Sequence, residues 1–162
     1  MTWIEFESDF RMQDPFLFKE IFIKFLKGSM RRVFDKVKKI APNCKIYLNS
    51  CGSIRELIPD FIDIGIEILS GLQPLASQMD SFELKKEFRK DLVFHGGIDI
   101  QRDLCDTEED TIEDSKRYIN DYDLGGVYIC WHSNHFQVDF SPENFIALYN
   151  DALNFRKYSL TK

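Results

Sequence analysis

Lys45-Ile46-Tyr47-Leu48-Asn49-Ser50-Cys51-Gly52 is a short run of strand-forming residues that stops abruptly in small and polar side chains. Residues 45–48 read as a strand, with Pro42-Asn43 breaking the chain before it. Ser53, three residues ahead of Glu56, has capping-box spacing and opens a helix expected over 53–60. A strand that ends in unusual residues and passes into a helix is the unit that recurs through the rest of the chain.

Towards the N-terminus, residues 3–6 read as a strand and 16–40 as a long amphipathic helix, with Ile21, Phe22, Phe25, Leu26, Val33 and Val37 at its apolar positions. Gly28 inside it is a local cost and not a boundary. Towards the C-terminus, strands are expected at 64–69, 92–95 and 127–130, and helices at 81–89, 107–122 and 142–155. Ser81, Thr107 and Ser141 stand where N-caps belong, and Pro142 occupies the first turn of the last helix. Strands alternating with helices form parallel βαβ units, in a barrel or a doubly wound sheet. No GxGxxG follows the first strand and no P-loop is present, so nothing supports a nucleotide-binding sheet. Barrel enzymes place their chemistry at the C-terminal ends of the strands. The conspicuous residues fall there: Asp9 and Gln13, Asn49 to Gly52, Gln73, His95 to Gln101, and Trp131 to His135.

A formal net charge of −6 argues against a nucleic-acid partner, since phosphate binding needs a basic face. Lys36, Lys38 and Lys39 are read as a solvated helix face, and the acidic stretch from Asp106 to Asp110 as a helix start rather than a metal site. No apolar run reaches the roughly 18 residues of a membrane span. The first residues carry Glu5, Glu7 and Asp9 where a signal peptide would be basic, so the expected location is cytoplasmic and no membrane contact is expected. Cys44, Cys51, Cys105 and Cys130 lie far apart with no CxxC, which favours reduced thiols over a disulfide framework.

Asn49-Ser50-Cys51-Gly52 with Leu57-Ile58-Pro59 resembles the His-x-Cys-Gly stretch of the uroporphyrinogen decarboxylase family, which includes corrinoid-dependent methyltransferases. Ile64-Gly65-Ile66-Glu67-Ile68-Leu69, Leu72-Gln73-Pro74, Met79-Asp80, Gly96-Gly97-Ile98-Asp99, Gln101 and Ser141-Pro142-Glu143-Asn144 also resemble family motifs, in family order. Ser8-Asp9-Phe10 with Gln13 is similar to a degraded form of the family's Asp-Asp-x-Gly strand end. The resemblance implies a partial (β/α)8 TIM barrel, with residues 1–162 forming a single C-terminal portion of five βα units with parallel strands. Decarboxylation or methyl transfer is implied as the activity, with a tetrapyrrole, a corrinoid or a corrinoid protein as substrate or partner. The acidic residue of the decarboxylases belongs to the N-terminal half of the family fold, so independent activity is not expected. A complementary N-terminal half-barrel or a second copy of the chain is the expected completion, the alternative being a non-catalytic barrel fragment or binding partner.

The resemblance also implies site residues. Gly96, Gly97, Asp99, Gln101, Gln73 and Asn49 correspond to the substrate side. In the methyltransferase branch a His, a Cys and a second Cys near the last strand hold zinc, which suits thiolate and imidazole ligands and leaves a place for the substrate sulfur. Cys51 matches the first Cys, Asn49 replaces the His, and Asn134 falls where the last ligand belongs. A rearranged zinc site of Cys51 with two of Cys130, His132 and His135 is one reading; Cys130 as a buried strand residue with the histidines as loop side chains is the other. His95 is either a site residue or a histidine packed at the barrel mouth and bonded to backbone.

Overall fold

A computed structural model describes residues 2–8, 19–99, 107–122, 125, 127–133 and 141–155. Its centre is one sheet of five parallel strands: β1 (Trp3–Glu7), β2 (Lys45–Asn49), β3 (Ile68–Ser70), β4 (Val93–His95) and β5 (Tyr128–Ile129). They lie side by side in chain order, each paired in parallel with the next. A doubly wound sheet reverses its strand order at a switch point, whereas a barrel adds each strand beside the last. The chain is α/β with the architecture of a partial (β/α)8 barrel.

The helices confirm this by sharing one face. Ile46, Leu48, Leu69, Phe94 and Tyr128 from the strands form a single core with Phe34, Phe61, Leu84, Phe88, Tyr118 and Leu148 from the helices. Phe6 joins them from β1, edge-on to Phe34 with ring centroids 4.8 Å apart. Successive strand residues point to opposite faces, so Tyr47, Ile68, Ser70, Val93, His95 and Ile129 belong to the face without helices. Tyr47 and Ile68 are buried outside the main core, as that alternation requires.

The helices are α1 (Lys19–Ile21), α2 (Gly28–Ile40), α3 (Ile58–Asp63), α4 (Ser81–Phe88), α5 (Glu108–Tyr122) and α6 (Pro142–Phe155). The single helix expected from residue 16 is described from Lys19, and it carries a wide π-type segment over Phe22–Lys27 between α1 and α2. Lys27 ties this helix to α3 through Asp60 at 2.6 Å and Asp63 at 2.8 Å. Asp60 holds its carboxyl below the ordinary range because Lys27 and Lys19 outweigh its burial.

Three boundaries differ from expectation. The strand expected at 64–69 is Ile68–Ser70, because Ile64, Gly65 and Ile66 terminate α3. Gly65 has φ +98°, Ile66 N–H donates to Phe61 O and Gly65 N–H to Ile62 O, which is the Schellman pair of bonds. The helix expected at 53–60 begins instead as a tight turn over Arg55–Leu57 that runs into α3, and Ser53 does not cap it: its hydroxyl donates to Ser77 O. The cap of α4 is Asp80, which accepts from Glu83 N–H, while Ser81 donates to Asp121 of α5. Thr107 and Ser141 cap as expected, accepting from Asp110 and Asn144 N–H.

Candidate functional site

At the C-terminal ends of β2, β3 and β4, on the face without helices, three side chains meet. His95 Nδ1 lies 2.8 Å from the Tyr47 hydroxyl and 2.9 Å from the Ser70 hydroxyl. The strands bring them together: Tyr47 pairs with Ile68, one pleat before Ser70, and Ser70 lies beside His95 across β3 and β4. The reading of His95 as a ring bonded to backbone is therefore corrected, since its partners are side chains. Burial, reinforced by the nearby His132, pushes its pKa down to about 4, so the imidazole is neutral at physiological pH. Burial also raises the Tyr47 phenol, against the opposing effect of its hydrogen bond with Ser70.

Aromatic rings continue this cluster across the sheet. Trp3 stacks on Tyr47 at 6.1 Å, Tyr47 meets His95 edge-on at 5.4 Å, and His95 stacks on Trp131 at 6.1 Å. Trp131 in turn contacts His132 and Tyr149. Trp3 is 48% and Trp131 43% exposed, so both ends of the row are open to solvent. Asn49, half-buried at the end of β2, completes the polar edge. Gly71, at φ +76°, is what makes room for it, because a Cβ there would collide with Asn49 Oδ1.

The glycine pair after β4 is close-packed against this chain's own atoms. At φ +85° and +95°, Gly96 would place a Cβ 2.8 Å from His132 O and Gly97 one 2.8 Å from the Tyr122 ring. Asp99 is buried just beyond them, and the neighbouring Ile98 bridges to His132. Gln73 is half-buried, its carbonyl accepting from Ala76 N–H in the turn after β3. Gln101, Asn134, His135, Asp9 and Gln13 lie outside the described residues.

Of the expected zinc ligands, Cys51, Cys130 and His132 lie among the described residues and His135 does not. No group of three His, Cys, Asp or Glu side chains there could hold a metal ion. Cys51 is half-buried beyond β2 and forms no disulfide. Cys130 packs against the helix-side core, and burial pushes its thiol up to about 11. His132 sits beyond β5 beside Trp131. Of the cluster itself, Tyr47, Ser70 and Trp3 were not singled out by the sequence as site residues. The alternation around Ile46 and Leu48 was the available signal for Tyr47; nothing local marked Ser70.

The fold and this strand-end cluster define a portion of a parallel α/β barrel with a polar, aromatic inner face. No protein-family model and no curated protein matches the chain. Among solved structures it is similar to a methyltransferase from Methanosarcina mazei, with TM-score 0.70 and 18% identity, over 95% of this chain and 42% of that one. At that identity the likeness shows the fold, and the chain spans less than half the length of that structure. Among the described residues, no helix is long and apolar enough to cross a membrane.

Proposed function

We propose that the chain supplies one side of a substrate site for methyl transfer in a barrel of the uroporphyrinogen decarboxylase family. The observation that carries this reading is the Tyr47, Ser70 and His95 cluster, set among aromatic rings at the strand ends where barrels do chemistry. The motif order from Asn49 to Asn144 and the shared fold of a methyltransferase support it. A methyl group bound to a corrinoid would pass to a thiolate acceptor, forming a C–S bond and leaving the bonding electron pair on the corrinoid cobalt. The chain's own part is to hold the acceptor against the inner face and keep water from it. Further βα units, in the same or another polypeptide, would close the other side.

Zinc is the group the family resemblance implies, and the described residues do not fit it: Asn49 stands in place of His, and Cys130 is turned into the core. Cys51 with His132 and His135 is the remaining candidate set, and stoichiometric zinc that is lost in Cys51→Ser would add the metal to this reading. The same departures favour a second reading, a binding partner without catalysis.

The test is incubation of the protein with methylcobalamin and a small thiol, alone and with a complementary N-terminal barrel segment, following the corrinoid spectrum and the methyl thioether. Thioether formation above the protein-free rate, lost in His95→Phe, supports transfer. Corrinoid or thiol binding without transfer under both conditions would favour the binding partner.

A further inference from the structure

Among the described residues, Tyr47 and Ser70 occupy His95 Nδ1, and Nε2 has no hydrogen-bond partner. A hydroxyl can donate or accept, so distance alone does not fix the tautomer. Chemistry does: a phenol is far more acidic than an alcohol, which makes it the stronger donor and the weaker acceptor. Tyr47 O–H therefore donates to Nδ1, the Ser70 hydroxyl gives its single proton to the Tyr47 oxygen, and the ring's proton sits on Nε2.

We propose that Tyr47 and Ser70 fix His95 as the Nε2–H tautomer, and that this N–H binds a carboxylate or carbonyl oxygen of a small planar ligand lying along Trp131. Trp131 stacks on His95 with only 19° between the ring planes and remains 43% exposed, so one flat ligand can cover its ring while an oxygen reaches the imidazole. A neutral donor suits this position because it is available without a proton from solvent. Glu5 and Glu7 stand on β1 of the same face, in register with Tyr47 and Asn49. Their charges favour a ligand whose oxygen lies towards β4 and β5 and not towards β1. The inference rests on the reading of the strand ends as a substrate site and adds the ligand class and the residue that holds it.

Benzoate, a planar carboxylate, serves as the probe, added at neutral pH to the full chain labelled with 15N-histidine. Long-range 15N–1H correlations should show the Nε2–H pattern for His95 in the wild type and a mixture of tautomers in Tyr47→Phe. Benzoate should shift both this N–H and the Trp131 indole signal. Its affinity should fall about ten-fold in His95→Phe, the equivalent of about 1.4 kcal/mol, and hold within about three-fold in His95→Gln, whose amide restores a donor at that reach. A proton on Nδ1 in the wild type would overturn the inference whatever the variants do. Benzoate shifts at Trp131 that are as strong in His95→Phe would overturn it while leaving the strand-end site standing. Absence of benzoate shifts at every strand-end residue would remove both.

Discussion

His95 holds a neutral imidazole among a phenol, an alcohol and an indole, and that neutrality has a thermodynamic consequence. Its folded pKa of about 4 lies below the ordinary 6.5, so the unfolded chain takes up the proton first. Above the unfolded value both states are neutral and His95 contributes no pH dependence. As pH falls from about 6.5 towards about 4, stability is lost, by on the order of 1–2 kcal/mol for a ring this open to solvent screening. Urea unfolding at about pH 7 and about pH 4.5 should show this loss in the wild type and a clearly smaller one in His95→Gln, which cannot titrate. Equal losses would show that other groups carry the acid sensitivity. A second prediction concerns Gly96, where a Cβ would meet His132 O at 2.8 Å and φ is +85°. Gly96→Ala should cost about 1–3 kcal/mol in the same assay, from strain and from displacement of the His132 backbone. A neutral result would mean the strand end yields freely.

At the scale of elements, Glu67 joins three pieces of chain. It accepts from Lys38 of α2, from Lys45 Nζ of β2 at 2.6 Å and from Ile46 N–H at 3.2 Å, and these bonds hold its carboxyl below the ordinary range despite burial. Glu67→Ala should destabilise the chain by about 1–3 kcal/mol, since it also leaves two lysines facing each other; an effect under about 0.5 kcal/mol would make the cluster a surface feature. Asp80→Ala should cost about 1 kcal/mol through loss of the α4 cap. Much of this level was legible in the sequence. Ser141 and Pro142 marked the start of α6, and the Thr107 turn that of α5, because caps and prolines act locally. The run from Ile64 to Leu69 misled because Gly65 ends α3 there, and its apolar neighbours are buried for helix packing before the strand begins. Within the site, His95 stood out beside its glycines. Ser70 did not, because its partner is 25 residues away and only strand register brings them together.

For the whole molecule, the exposed large apolar residues, apart from Leu75 and Phe82, lie on the first and last strand–helix units of the described chain. On β1 and the helix that follows it stand Ile4 at 38%, Phe25 at 62% and Ile40 at 77% exposure; just before β5 and on α6 after it stand Val127 at 58%, Ile146 at 58% and Leu153 at 54%. On the middle helices α3, α4 and α5, only Phe82 is a large hydrophobic residue exposed to this degree. Among the described residues, β1 and β5 each have one neighbour, so each keeps an unpaired edge. Open edges flanked by apolar helix faces are where further βα units belong in a closed barrel, and no proline blunts either strand. On the proposed reading, covering those edges would also complete the inner face, with its row from Trp3 to Trp131, as a site. Sedimentation equilibrium of the 162-residue chain over a wide concentration range tests whether the edges are open in solution. Pairing of strand edges between molecules should give reversible association, with the mean mass rising with concentration; a monomer at every concentration would show that the edges are not open.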